Sequence, residues 1–266
     1  MSNCFRFVQI RWSLLLYLTP FPNKYLHKII TMTMPISEPP IDLAGAATAQ
    51  PTSKDVTTEK DYWNNFYHQF NISHPSQFCV MTSVEADRTL PIVEFGCGNA
   101  RDSVYFATHG YKVYACDLSK DAINRNKEKG SSISNLDFMV VDASAEDQVR
   151  AAVEEARTTS GAANVIIYTR FFLHSIDQTQ EDKFLSALSN VLEAGDKMYF
   201  EYRCSMDEKL DKVHGKEHYR RYVDTPVMLE GMMKKGFAVE YEMTGQGMAK
   251  YKMEDPFVSR IIVRKL

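Results

Sequence analysis

From Pro91 onward, the hydrophobic and polar positions of the chain alternate between two periods. Short apolar runs, four to six residues long, are typical of buried strands. Such runs predict five strands, at 91–95, 112–116, 136–141, 164–169 and 197–202. Amphipathic segments with helical spacing separate them and end at glycines. They predict four helices, at 101–109, 120–129, 146–159 and 178–194.

The pattern changes after the fifth strand. A polar stretch over 203–224 interrupts the alternation and is longer than an ordinary connection, so we expect a functional loop there. Thr225-Pro226 then starts a fifth helix, and two long apolar runs at 237–244 and 257–265 predict an antiparallel pair of strands. The whole pattern predicts an α/β fold: a mostly parallel sheet with helices on both faces, closed by a C-terminal hairpin.

The first 59 residues do not follow this alternation. Residues 1–37 contain no Asp or Glu, and their longest apolar run, from Trp12 to Leu18, is too short to span a bilayer. They are interpreted as an acid-poor extension, as a transit segment for mitochondria, or as residues upstream of a true start at Met32 or Met34. Residues 38–59 are expected to be a disordered linker, and 60–266 the folded domain.

Composition and charge narrow the class of protein. Apolar residues make up 44% of the chain and charged residues 24%, as in an ordinary globular protein. The five cysteines are scattered and form no zinc pattern, which predicts a cytoplasmic, reducing environment and no structural metal. After residue 54 the chain has 26 basic and 32 acidic residues, a net charge of −6. A body of that sign disfavours long nucleic acid as a partner.

The stretch from Val93 to Asp102 is the strongest candidate for a binding site. Glu94 closes an apolar run, and Gly96 and Gly98 follow it just before a predicted helix. A strand, a glycine turn and a helix N-terminus in this order are typical of nucleotide sites, although Gly-x-Gly alone also occurs in purely structural turns. Asp117 lies 19 residues past Gly98, where such folds bind a ribose diol.

The residues around this turn distinguish between classes of ligand. A dinucleotide site has a third glycine where this chain has Arg101, and the sequence contains no phosphate-binding Gly-x-x-x-x-Gly-Lys-Ser/Thr motif. Glu94 would repel a pyrophosphate but attract an ammonium or a sulfonium. The sequence therefore predicts an adenosine-like ligand with a cationic tail.

These motifs resemble the class I S-adenosylmethionine-dependent methyltransferases. The resemblance covers residues 60–266 and implies their Rossmann-like, seven-stranded sandwich, with S-adenosylmethionine as cofactor. It also implies that Asp117 binds the ribose, that the acid of Val140-Val141-Asp142-Ala143 approaches the adenine, and that strand four passes the methionine end. The implied cofactor-binding residues are Glu94, Gly96, Cys97, Gly98, Asp117, Leu118, Asp142 and Ala143.

A narrower resemblance is carried by three further segments, 62–67, 169–176 and 247–256. They are similar to small bacterial-type methyltransferases, some of which are tellurite-resistance-like. The aromatic opening at 62–67 is also similar to one in tRNA cytidine methyltransferases, so it does not decide the substrate. Its aromatic residues are expected either to cover a ligand or to pack a helix on the core.

Two candidate catalytic residues follow the fourth strand. His174 could act as a general base toward an oxygen or nitrogen acceptor, or it could pack under the loop or cap the next helix. Arg170 could bind an acidic substrate or the cofactor carboxylate, or it could form an ion pair with Glu201. The residue types and their positions leave both alternatives open.

The expected reaction is methyl transfer to a small molecule, for example a sugar or an acidic metabolite. The candidate substrate-binding residues are Tyr62, Tyr67, Tyr219, Arg220 and Tyr251; the role of Tyr251 rests on the resemblance. Tyr219 and Arg220 could equally belong to a solvated charged face. Transfer to RNA or protein, or a cofactor-binding subunit without catalysis, are the alternative functions. The sequence indicates no oligomeric state.

Overall fold

The computed structural model describes residues 73–211 and 219–266. They contain one sheet of seven strands in the order β3-β2-β1-β4-β5-β7-β6. The strands are β1 (Ile92–Phe95), β2 (Val113–Asp117), β3 (Leu136–Val140), β4 (Ile166–Arg170), β5 (Lys197–Arg203), β6 (Phe237–Gly245) and β7 (Val258–Lys265).

Six α-helices in this part of the chain surround the sheet. They are α1 (Gln77–Glu85), α2 (Arg101–Thr108), α3 (Lys120–Lys129), α4 (Glu146–Ser160), α5 (Gln178–Val191) and α6 (Thr225–Lys234). Two short 3-10 turns, Leu173–Ser175 and Ser205–Asp207, follow β4 and β5. They lie where the carboxyl ends of parallel strands meet, the edge at which open α/β sheets bind ligands.

The pairing of the strands confirms the predicted fold class. Strands β3, β2, β1, β4 and β5 are parallel, while β7 runs antiparallel to both β5 and β6. Because β1 joins β2 on one side and β4 on the other, the chain reverses its direction of travel across the sheet there. This is the topological switch point, where a crevice opens beside the strand ends.

Each face of the sheet buries its own hydrophobic core. On one face, Phe95, Phe184 and Phe200 pack together, with Phe95 and Phe184 edge to face at 5.1 Å between ring centroids. On the other face, Phe78 of α1 stacks on Tyr168 of β4 at 5.3 Å. Two packed faces require strands that are apolar throughout, which explains the continuous apolar runs in the sequence.

Most predicted elements are present, with ends that differ by one or two residues. The capping signals hold: Asp177 and Gln180 form a capping box at α5, and Ser119 caps α3. However, α5 ends at Val191 rather than at Gly195, because the chain adopts an extended conformation at Leu192. The pattern did not predict α1, whose sequence has no amphipathic spacing; it starts where the Ser76 hydroxyl accepts a hydrogen bond from the Cys79 N–H.

Several predictions concern the N-terminal part of the chain. The extension 1–37, the linker 38–59 and the first residues of the expected domain lie outside the described residues. None of the helices in the described ranges is long and apolar enough to cross a membrane.

Candidate functional site at the carboxyl edge of the sheet

A tight turn between β1 and α2 forms the floor of the site. Gly96 and Gly98 have φ angles of +74° and +54°, a conformation that side chains other than glycine rarely adopt. The N–H groups of Gly96 and Cys97 donate to the carbonyl of Cys116, over 2.9 and 3.0 Å. These two bonds hold the turn against the end of β2.

Phe172 explains why the first of these glycines cannot carry a side chain. A Cβ on Gly96 would lie 2.7 Å from the ring carbon Cδ2 of Phe172. Cys97 contributes backbone only, because burial raises the pKa of its thiol well above the ordinary value and keeps it protonated. Position 96 therefore requires glycine because Phe172 packs against it, and close approach of a ligand to this backbone stays a prediction.

Asp117, the last residue of β2, is joined directly to this turn. Its Oδ2 accepts from the N–H of Gly98 and its Oδ1 from the N–H of Ser119, each over 2.9 Å. Burial raises the pKa of Asp117, and the backbone N–H groups of Ser119 and Gly98 oppose that rise. The carboxylate is thus held rigidly beside the glycine turn.

Asn126 is a second support for the turn, and sequence reasoning missed it. Its Nδ2 donates to the carbonyl of Gly98 over 2.8 Å, and the side chain is buried. The signal was present: Asn126 lies three and four residues from Ile123 and Ala122, the buried residues of α3. A polar side chain on the buried face of a helix needs a partner.

Glu94 lies under the turn in a buried acidic pair. It accepts a hydrogen bond from the hydroxyl of Ser103. Among the charged groups, Asp102 has the largest effect on the pKa of Glu94. Burial first, and the Asp102 charge second, raise the pKa of Glu94 to about 8, against the bond from Ser103. A cationic ligand beside Glu94 would lower this pKa by stabilising the carboxylate.

Asp102 is itself fixed by three donors. The N–H and hydroxyl of Ser76 each donate to it over 2.7 Å, and the hydroxyl of Tyr168 donates over 2.9 Å. Ser76 also caps α1, so this carboxylate joins α1 and α2 to the sheet. Sequence reasoning did not single out these residues, because their contacts span 26 and 66 positions of the chain.

The predicted adenine side lies beyond Asp117. Leu118 follows it with 47% of its surface exposed, which offers an apolar face to a planar base. Asp142 accepts from the N–H and hydroxyl of Ser144 through Oδ1, over 2.8 and 2.7 Å. Ala143 packs against the core beside it. The roles of these three residues toward an adenine stay predictions.

The donor set fits an adenosine-like ligand. A carboxylate has about four lone-pair positions, and backbone N–H groups occupy some of those of Asp117. The remaining acceptor capacity would suit the hydroxyls of a ribose. Glu94 lies on the neighbouring strand, where it would face a positive tail, and no side chain at Gly96 or Gly98 obstructs the space between them.

Arg170, the last residue of β4, forms the ion pair with Glu201 that was one of its two expected roles. Its Nε donates to Oε1 of Glu201 over 2.9 Å, and its guanidinium lies 4.1 Å from the ring centroid of Phe171. Burial alone would lower the pKa of Arg170, but the charges of Glu201 and Asp102 outweigh it and leave that pKa raised. Arg170 is therefore a fixed cation at the switch point.

His174 occupies a buried position behind the strand ends. Its Nδ1 accepts from the backbone N–H of Arg203 over 3.0 Å, and its carbonyl accepts from the N–H of Arg221. A ring nitrogen that accepts this bond carries no proton, which places the proton of the neutral ring on Nε2. The geometry favours the packing role; the role of general base stays a prediction.

Phe171 lies near two arginines. Its φ angle is +56°, a strained value for a side chain of this size, and the guanidinium of Arg203 lies 5.7 Å from its ring centroid. Arg203 is buried and bonds both Asp207 and Glu254. Strain of this kind is found at ligand-binding edges more often than elsewhere.

Three of the predicted substrate residues, Tyr219, Arg220 and Tyr251, lie within the described part of the chain. Tyr219 and Arg220 are half-buried, and burial together with the charge of Arg203 lowers the pKa of Arg220. Tyr251 pairs with Glu254 through two backbone hydrogen bonds of 2.8 and 3.0 Å. Arg203 is thus close enough to Arg220 to lower its pKa, and it bonds Glu254 of the Tyr251–Glu254 turn. Tyr62 and Tyr67 lie outside the described residues.

A cleft of about 210 Å³ opens between the 3-10 turn after β5 and the β6–β7 loop. Its lining includes four acidic residues and one arginine. The lining residues are Arg203, Asp207, Leu210, Asp211, Gln246, Met253, Glu254, Asp255 and Pro256.

A strand-end carboxylate bonded to a glycine turn, on an open α/β sheet, is an arrangement typical of nucleotide-binding folds. Residues 92–195 match the family model described as a methyltransferase domain. No curated protein matches the chain in a sequence comparison.

Solved structures share the fold at low sequence identity. An S-adenosylmethionine-dependent methyltransferase from Anabaena variabilis is 17% identical with a TM-score of 0.62, over 80% of this chain and 96% of that one. A TehB-like methyltransferase from Corynebacterium glutamicum is 15% identical with a TM-score of 0.53, over 80% and 100%. The glycopeptide N-methyltransferase MtfA, solved with S-adenosylmethionine, is 13% identical with a TM-score of 0.53, over 74% and 89%.

Residues 92–195 therefore match a methyltransferase domain, and the described part of the chain has the fold of solved S-adenosylmethionine-dependent methyltransferases, which confirms the resemblance of the motifs. The matched domain belongs to the methyltransferase class of enzymes, and the solution of MtfA with S-adenosylmethionine agrees with the predicted cofactor.

Proposed function

We propose that this protein transfers the methyl group of S-adenosylmethionine to an oxygen or nitrogen atom of a small molecule, such as a sugar or an acidic metabolite. The observation that supports a small acceptor is the cleft between the 3-10 turn after β5 and the β6–β7 loop, a loop that packs against Phe171 through Met248 and Ala249. A volume of about 210 Å³ accommodates part of a small molecule.

The residues of this chain have distinct tasks in binding the donor. Bound S-adenosylmethionine supplies an already activated methyl group, so the protein mainly contributes positioning. Asp117 would hold the ribose hydroxyls, Glu94 the ammonium of the tail, and the backbone of Gly96 and Gly98 would allow close approach. The Ser119 N–H fixes Asp117 by a hydrogen bond, and the Ser103 hydroxyl fixes Glu94. The carbonyl of Cys116 fixes Gly96 by accepting from its N–H.

The acceptor side offers both signs of charge. Arg203 and Arg220 provide cations, and Asp211, Glu254 and Asp255 line the cleft with carboxylates. A polar metabolite with hydroxyl or amine groups suits such a surface better than a polyanion. The net charge of −6 after residue 54 is a further argument against RNA.

One experiment tests this proposal directly. The full chain is incubated with methyl-labelled S-adenosylmethionine and a total cell extract, and the label is followed into metabolites, RNA and protein. The matched control is Asp117→Asn, which keeps the size of the side chain but lacks the charge that binds a diol. Label in a small molecule, absent with the control, is the expected result.

Other outcomes overturn the proposal in defined ways. Label in tRNA, with a yield that falls steeply as salt rises, would show that the acceptor is nucleic acid. Label in polypeptide would show a protein acceptor. Donor binding by calorimetry without transfer to any of the three fractions would indicate a subunit that has lost catalysis.

A further inference from the structure

Arg170 has binding capacity that the fold does not use. Its only hydrogen bond to a described residue is made by Nε, to Oε1 of Glu201. Both terminal nitrogens, Nη1 and Nη2, lack a hydrogen-bond partner anywhere in 73–211 and 219–266. The side chain is 15% exposed, so its free edge can be reached from the crevice.

The guanidinium is held in place on two sides. Glu201 is fully buried and binds Arg170 through Oε1 and Arg260 through Oε2, over 2.9 and 2.7 Å. The flat face of Arg170 lies on the ring of Phe171 at 4.1 Å. A guanidinium fixed through Nε and one face directs its remaining N–H groups along one edge, the geometry that receives a carboxylate with two parallel bonds.

The register of the sheet places this edge beside the donor site. Glu94 of β1 pairs with Tyr168 of β4, so the two side chains share one face of the sheet. Arg170 lies two residues beyond Tyr168 on that same face, level with Gly96. An acid and a cation therefore lie on neighbouring strands, with the cation two residues closer to the strand end, an arrangement complementary to an ammonium and a carboxylate.

We propose that Arg170 is a carboxylate-binding residue, aimed by Glu201 and Phe171. The carboxylate comes from the amino-acid tail of the donor or from an acidic acceptor, and the experiments below distinguish these two sources. This inference rests on the proposed function. It extends that function by assigning the anion site and by making Glu201 a positioning residue.

Arg260 links this anion site to the β6–β7 loop. Its Nη2 donates to the carbonyl of Met248 over 2.6 Å, and Met248 packs with Ala249 and Phe171. Arg170, Glu201, Arg260, Met248 and Phe171 thus form a closed ring of contacts. Through this ring, the loop that borders the acceptor cleft supports the residue that binds the carboxylate.

Binding of two donor analogues distinguishes the sources. Calorimetry compares S-adenosylhomocysteine, which has the amino-acid tail, with 5′-methylthioadenosine, which lacks it. Arg170→Met should weaken S-adenosylhomocysteine about 10–100-fold and leave 5′-methylthioadenosine unchanged if the donor carboxylate binds there. Arg170→Lys, which keeps the charge without the fork, should fall between the two.

The matched control is Arg264→Met. Arg264 of β7 donates through Nε to Oε1 of Glu240 over 2.7 Å, an ion pair of the same kind as that of Arg170 with Glu201. It should change the affinity of neither analogue. Glu201→Gln should lower the affinity for S-adenosylhomocysteine selectively, and Glu240→Gln should not. Normal binding of 5′-methylthioadenosine shows in each variant that the nucleoside site is folded.

The remaining outcomes are decisive as well. Unchanged affinity for S-adenosylhomocysteine, with loss of the labelled product and a carboxylate in that product, would assign the site to the acceptor. Equal weakening of both analogues, or no change in binding or transfer, would overturn the inference. Failure of the unsubstituted protein to bind either analogue would instead overturn the proposed function.

Discussion

The backbone N–H of Arg203 donates a hydrogen bond to Nδ1 of His174 across 3.0 Å. The histidine is buried and joins the 3-10 turn after β4 to the end of β5. It therefore fixes the loop after β4 to the end of β5. This contact gives His174 a positioning role whether or not it also transfers a proton.

A pair of substitutions at His174 separates these roles. Asparagine can place its Oδ1 near the position of Nδ1 and accept the bond from Arg203, but it cannot act as a base near neutral pH. If His174 positions the loop, His174→Asn should keep turnover within a few-fold, whereas His174→Ala should lose about 10–100-fold. Single-turnover rates with the labelled donor measure this difference.

The contrary result at His174 is equally clear. A loss of about 10²–10⁴-fold in both variants, with unchanged affinity for S-adenosylhomocysteine, would establish general base catalysis. Thermal unfolding of both variants provides the control, since only His174→Ala leaves the buried N–H of Arg203 without a partner and should be less stable.

Asp117 should dominate the affinity for the nucleoside. Charge-assisted hydrogen bonds contribute about 1.5–3 kcal/mol each, so Asp117→Ala should weaken 5′-methylthioadenosine by at least about 100-fold in calorimetry. Asp137, an exposed acid on the adjacent strand, pairs with Lys112 and provides the control. Equal effects of Asp117→Ala and Asp137→Ala would exclude Asp117 as the ribose ligand.

Glu94 should make the stability of the protein depend on pH. Burial raises its pKa from 4.5 to about 8, so the unfolded chain loses this proton at lower pH than the folded protein does. The free energy of unfolding should therefore fall as pH rises from about 4.5 to 8, by up to about 1.4 kcal/mol per pH unit from this group. Below pH 4.5 the group contributes no further change.

Denaturant titrations between pH 4.5 and 9 measure this dependence. Glu94→Gln should be stabilised progressively relative to the unsubstituted protein up to pH 8, and the difference should then become constant. Glu128→Gln, at an exposed position of α3, is the control and should follow the unsubstituted protein. A constant difference between Glu94→Gln and the unsubstituted protein across this range would contradict the raised pKa.

Gly96 should tolerate substitution less well than a glycine of similar conformation elsewhere. Gly96 and Gly161 have φ angles of +74° and +68°, but an added Cβ meets Phe172 at 2.7 Å only in the first case. Gly161→Ala should cost about 1–2 kcal/mol of strain, and Gly96→Ala about 1–3 kcal/mol more. Chemical denaturation compares them; equal losses would show that Phe172 moves aside freely.

Local signals were enough to predict many elements and part of the site. Asp177 and Gln180 fix the start of α5 through bonds within four residues, and such contacts can be read directly from the sequence. The glycine turn and Asp117 are likewise encoded by spacing. Helix α1 was missed because its stability comes from Phe78 stacking on Tyr168, 90 positions away, and not from its own periodicity.

By itself the sequence determined the order of strands and helices, the class of fold, and the joining of an acid to a glycine turn at the strand ends. These follow from periodicity and spacing, which are local properties of the chain. Only the tertiary structure decided the roles of Arg170 and Glu94. Burial set the pKa of Glu94, and Glu201, 31 residues from Arg170, fixed the direction of the guanidinium. Charges interact through space, and distance in space is a property of the folded chain alone.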